Sequence, residues 1–188
     1  MTAFDYLSVL LSIVLGLAIT QLLAGFAALV RARGRMAMYW PVPVQMAAVF
    51  LISVQLWWAL FPLHEMRRWT FAHFFIVLMQ PVSVYMMAAF ITPDLAGEGR
   101  FDLREIYFRE RPWYFGSILL ALAVSLVKNV LVSGGPPNPL DMAGHAVFAA
   151  AALTGLASRS DAVHKALAPA TLLLYAAYIA LLFVNLPG

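Results

Sequence analysis

The side chains able to do chemistry in this chain are few, and they sit inside long apolar runs. Lys128 and Asn129 stand side by side in one run and His145 in the next; Asp5 opens the first, Gln80 lies mid-way along the third, and Tyr175 and Tyr178 share the last. An ammonium, a carboxylate, an imidazole, amides and phenols in apolar surroundings are suited to binding a small ion or polar solute. Ionisable groups are costly in hydrocarbon and mark a site or pathway when they occur there. The expectation is an outward-facing polar vestibule built from Asp5, Lys128, Asn129 and His145, leading toward Gln80, Tyr175 and Tyr178. Lys128 also has a plainer reading, in which its stem lets the ammonium snorkel to the headgroups. Otherwise it pairs with Asp5, Glu65 or Asp141, or binds an anion.

Other chemistries are poorly supplied. The chain has no cysteine, which removes disulfides, thiol catalysis and thiolate metal sites. No phosphate loop, nucleophile elbow, HExxH or dinucleotide fingerprint occurs, so no catalytic residue is named and the reading leans away from an enzyme. No metal site is assigned either; His64, Glu65 and His73 match no ligand spacing. A further reading is redox: the imidazoles of His73 and His145, from two helices, could ligate a haem iron with Lys128, Arg67 or Arg68 near its propionates. Apart from that haem, no cofactor is expected.

These residues need elements to hold them. Of 188 residues, 63% are hydrophobic and 11% charged. A chain this short cannot hide so much apolar surface from water, and soluble domains carry about 25% charged residues. The composition excludes a soluble enzyme and a disordered chain alike. A helix needs about 20 apolar residues to cross a bilayer. Six stretches qualify, at about 4–30, 42–63, 71–92, 113–133, 140–158 and 167–186. They do not alternate, which excludes a transmembrane β-barrel. The expected fold is one all-α domain, a six-transmembrane-helix bundle. The first stretch is not read as a cleaved signal peptide, because it lacks a basic leader and is too long for an h-region.

Orientation follows from Lys and Arg. The loops after stretches one, three and five hold Arg31, Arg33, Arg35, Arg100, Arg104, Arg109, Arg111, Arg159 and Lys165; the opposite side holds Arg67 and Arg68. Both termini are therefore expected on the outer side. The excess of 12 Lys+Arg over 9 Asp+Glu reads as a topology signal, and nucleic acid is not an expected partner. The longest loop has its own pattern. Asp102 caps a helix with Glu105 three residues on, Phe101 and Ile106 form a staple, and Glu105 and Arg109 are spaced as an ion pair. It reads as a short interfacial helix over about 102–111.

Within the bilayer, helices associate through small residues and interhelical hydrogen bonds. The first stretch has a four-residue row, Ser8, Ser12, Gly16, Thr20, Ala24 and Ala28; the fourth has Ser117, Ala121, Ser125, Asn129 and Ser133. Both are expected to pack helices within the bundle or between copies. Gln45 and Gln55 share a stripe with Ala48, Ile52 and Ala59, and Thr171, Tyr175, Tyr178 and Asn185 form an inward face. Pro81 is expected to kink the third helix, with Gln80 or a neighbour satisfying the freed carbonyl.

The runs FDYLSVLLSIVLGLAITQLL and FDLREIYFRERPWYFG resemble small bacterial inner-membrane proteins. That resemblance implies multi-pass insertion and no particular activity. The functional expectation is a small non-enzymatic membrane protein, self-associating or bound to a membrane-protein partner, with passage of a small ion or solute. A structural or assembly subunit of a larger membrane complex is the alternative.

Overall fold

The computed structural model describes residues 3–66, 68–97 and 99–182. It contains six helices long and apolar enough to cross a membrane. They are α1 (Ala3–Ala32), α2 (Pro41–Ala59), α3 (Phe71–Ile91), α4 (Leu103–Ser133), α5 (Pro139–Ala157) and α6 (Asp161–Leu182). Two parallel strands of two residues each, β1 (Met36–Ala37) and β2 (Phe101–Asp102), tie the α1–α2 loop to the α3–α4 loop.

The packing order explains the architecture. α2 contacts α3, α3 contacts α4, α4 contacts α5, α5 contacts α6, and α6 returns to α2. Five helices thus close a ring, and α1 packs outside it against α2 and α3. The face α1 turns inward is Leu11, Leu15, Ala18, Leu22 and Leu29, all buried. Steps of three and four residues keep that face on one side of a helix. It meets Met46 and Val49 of α2 and Val77, Val84, Met87 and Ala88 of α3 in one core.

This arrangement corrects the small-residue reading of α1 within the bundle. Ser12, Gly16, Thr20 and Ala24 are exposed and Ser8 is half-buried, because the larger leucines bury more apolar surface against the ring. The row on α4 does turn inward, with Ser117 and Ala121 buried and Ser125 half-buried.

The interfacial stretch differs too. Asp102 is the N-cap, its carboxylate accepting from the N–H groups of Arg104 and Glu105, but the helix it starts runs on through Pro112 to Ser133. Its 31 residues span about 46 Å at 1.5 Å per residue, against a bilayer core of about 30 Å. α4 is therefore longer than a bilayer core is thick, and its first turns extend the helix on the side of the α5–α6 corner. Arg109 pairs with Glu110 at 2.9 Å, not with Glu105. On the same side, α6 begins at Asp161, six residues before the expected start.

Those first turns clamp the α5–α6 corner. A helix leaves its last carbonyls without partners, and Ser158 caps α5. Its carbonyl accepts from the Arg111 guanidinium and from His164 Nε2 at 2.9 Å. Because a carbonyl only accepts, the imidazole hydrogen is on Nε2, and Nδ1 accepts from the Tyr107 hydroxyl at 2.8 Å. His164 is fully buried, between the rings of Tyr107, Phe108 and Phe115. Arg104 adds an ion pair to Asp161 at 3.2 Å. Tyr39 packs at a tilt against Tyr107 and Phe108; burial pushes its phenol above the ordinary value, and the nearby Asp161 carboxylate acts in the same direction.

Candidate functional site

The five-helix ring encloses a cavity of about 400 Å³, the volume of about thirteen waters and within the usual range for ligand sites. α1 contributes nothing to its lining. The cavity extends from the α4–α5 turn, where Lys128, Ser133 and Asp141 line it, to Gln45 near the start of α2 and Tyr114 in the first half of α4.

Sequence spacing explains which side chains arrive there. Thr171, Tyr175 and Tyr178 are four and three residues apart on α6, so they lie on one face, and that face lines the cavity. Gln45, Ala48, Ile52, Gln55 and Ala59 do the same from α2. From α4 come Ala121, Ser125, Lys128 and Asn129, and from α5 come Asp141 and His145, one turn apart. Each of these polar groups turns toward the cavity and away from the apolar outer surface of the bundle.

At the α4–α5 end the groups are tied together across three helices. The Tyr178 hydroxyl donates to Asp141 Oδ1 at 2.5 Å. His145 Nδ1 lies 3.3 Å from the same oxygen and 2.8 Å from the Asp141 carbonyl. Both are acceptors, so Nδ1 carries the hydrogen and Nε2 faces the Ser125 hydroxyl at 3.0 Å. Asn129 donates its amide to the Ser125 carbonyl at 3.1 Å. Close approach of α5 and α6 depends on Gly144, where a Cβ would stand 2.9 Å from the Tyr178 ring.

Asp141, His145 and Ser125 follow the order of a hydrolytic triad, and their contacts tie α4 to α5. Acyl transfer needs donors preorganised for the oxyanion. Ser125 sits in the interior of α4, where backbone N–H groups are committed to the helix, and one N–H of the Asn129 amide is taken by the Ser125 carbonyl.

Further in, two hydrogen bonds join helices across the ring. Tyr175 donates to Gln55 Oε1 at 2.7 Å, and Tyr114 to Gln45 Oε1 at 2.7 Å. Gln80 reaches α4, donating to the Ala121 carbonyl at 3.4 Å, and not the carbonyl freed by Pro81. Gln80 Oε1 is buried and takes no hydrogen bond among the described residues, while the Gln45 amide is directed to the Tyr107 side chain. Gln45 is 1% exposed and Gln80 9%. Among the described residues, the Lys128 ammonium makes no hydrogen bond or ion pair.

The structure therefore brings six of the expected vestibule residues into one cavity: Lys128, Asn129, His145, Gln80, Tyr175 and Tyr178. Asp5 is not among them. It is exposed near the start of α1, and α1 lies outside the ring. Asn185 falls outside the described residues. His73 stands on α3 away from the cavity that His145 lines, with α4 between their helices in the ring. Among the described residues no group of three His, Asp or Glu side chains could hold a metal ion. Polar lining residues beyond the expected vestibule include Asp141, Gln45, Gln55 and Tyr114. The Asp141–His145 spacing of four on one helix and the Gln45–Gln55 stripe are signals that could have found three of them. Tyr114 gave no such signal, since its partner is 69 residues away.

A second, more open hollow of about 590 Å³ lies at the basic end between α1 and α3, lined by Gln21, Arg31, Arg35, Thr92 and Asp94 among others. Arg35 there already donates to the Gly97 carbonyl at 2.5 Å and covers the Phe101 ring.

No family model matches this chain, and no curated protein or solved structure matches it.

Proposed function

We propose that this chain is a multi-pass membrane protein that binds a small polar solute inside its five-helix ring, for uptake or sensing. The solute enters from the end opposite the basic loops. The observation that carries this reading is a cavity of ligand size whose polar lining comes from four helices, Gln80 of α3, Lys128 of α4, Asp141 of α5 and Tyr175 of α6 among it. Burying polar groups is costly unless they are matched, and a polar solute supplies matching donors and acceptors to the lining near Gln80. The unpaired Lys128 ammonium at the other end adds attraction for an anionic group. Excess Lys and Arg in the loops after α1, α3 and α5 supports placing those loops in the cytoplasm, so the mouth between α4 and α5 faces outward.

The absence of cysteine makes accessibility labelling direct. Single cysteines are placed at Ala151, which lines the cavity, at Leu173, which is 69% exposed on the apolar surface, and at Ala162 on the basic end. Sealed vesicles of both orientations are treated with a charged, membrane-impermeant thiol reagent. Ala151→Cys is expected to react from the side opposite to Ala162→Cys, and Leu173→Cys from neither. Ala151→Cys that reacts from neither side, with Ala162→Cys labelled normally, overturns the reading.

A further inference from the structure

Lys128 and Asp141 carry opposite charges, line the same end of the same cavity and are not paired with each other. In a low-dielectric interior such charges attract strongly, so their separation needs a cause. The carboxylate is pinned from two helices: Tyr178 of α6 and His145 of α5 both hold Oδ1. Swinging it toward α4 breaks both contacts. Its Oδ2 takes no hydrogen bond among the described residues, and the Lys128 ammonium takes none either.

We propose that the cavity takes a zwitterion of amino-acid type, its carboxylate on Lys128 and its ammonium on Asp141; this rests on the solute-binding reading above. A simple anion satisfies Lys128 but faces the Asp141 charge, and a simple cation meets the reverse. Only a ligand bearing both charges a few bonds apart relieves both, and leaving one buried charge unpaired is what makes half-matches costly. The body of the ligand then runs inward past the rings of Phe148 and Tyr175. From Lys128 to Ala121, the residue Gln80 bonds, is seven residues of helix, or about 10 Å of rise. A long side chain extends toward Gln80 over that distance.

The test is equilibrium binding to the purified full chain in lipid nanodiscs. The probes are L-leucine, L-phenylalanine, L-tyrosine and L-glutamine, each beside the amine lacking its carboxylate and the acid lacking its ammonium. At least one zwitterion is expected to bind ten-fold or more tighter than both of its one-charge analogues. Lys128→Met should abolish the preference over the amine, Asp141→Asn the preference over the acid, and Lys128→Arg should retain most binding. An acid that binds as tightly as its zwitterion overturns this proposal and leaves an anion-binding cavity. Absence of binding by all four zwitterions to a chain that melts as a folded protein also overturns it, while labelling of Ala151→Cys decides the cavity reading separately.

Discussion

Gly155→Ala puts a number on how the ring is closed. Replacing a glycine inside a helix by alanine stabilises by about 1 kcal/mol when nothing else changes. At Gly155 something else must change, because the new Cβ falls within the Phe115 ring. Phe115 is 1% exposed, so the ring can yield only by leaving its packed position, and overpacking of this kind costs about 1–3 kcal/mol. The two effects sum to a loss of about 0–2 kcal/mol. Gly116 is the internal control, one residue beyond Phe115 on α4, where an added Cβ meets nothing within 4 Å; alanine there should gain up to about 1 kcal/mol. The two variants are thus expected to move in opposite directions. Phe115→Leu makes room, so in that background Gly155→Ala should recover most of its loss, with a coupling of about 1–2 kcal/mol. Thermal melts of wild type and the four variants in one detergent, followed by the solute probes that bind wild type, read both effects. Phe115 lines the cavity, so the displaced ring should weaken binding as well. If Gly155→Ala and Gly116→Ala stabilise alike, or the cycle with Phe115→Leu is additive within about 0.5 kcal/mol, the close α4–α5 contact is refuted.

Two further outcomes follow from the hydrogen bonds. Tyr114→Phe strands Gln45 Oε1 and should cost about 1–3 kcal/mol, whereas Tyr114→Phe with Gln45→Met removes both partners and should be close to neutral; equal melting losses for the single and double variants would contradict the buried pair. His164→Phe leaves the Tyr107 hydroxyl and the Ser158 carbonyl one partner short, so tryptic cleavage at the exposed Arg159 should accelerate about ten-fold, from a local loss of about 1.4 kcal/mol; an unchanged cleavage rate would show that the corner is held without the imidazole.

The elements were legible in the sequence because a bilayer-length apolar run has one physical outcome. So were the faces of single helices. Thr171, Tyr175 and Tyr178 recur at helical spacing, polar groups do not face lipid, and their common side had to turn inward. The Asp102 cap was equally local, since its partners are two and three residues away. The order of helices around the ring was not legible. Nothing in α1 states that it stands outside, and that one fact removes Asp5 from the cavity and turns Ser12, Gly16 and Thr20 outward. Nor does local spacing bring Ser125 to His145, or Tyr114 to Gln45, across a shared cavity. The sequence by itself determined which residues had to avoid lipid, because that depends on the chemistry of each side chain and the 3.6-residue turn. The tertiary structure alone decided which of them meet, because partners on different helices are chosen by packing, where leucine faces, close approaches at Gly144 and Gly155, and the Ser158 clamp set each helix against its neighbours.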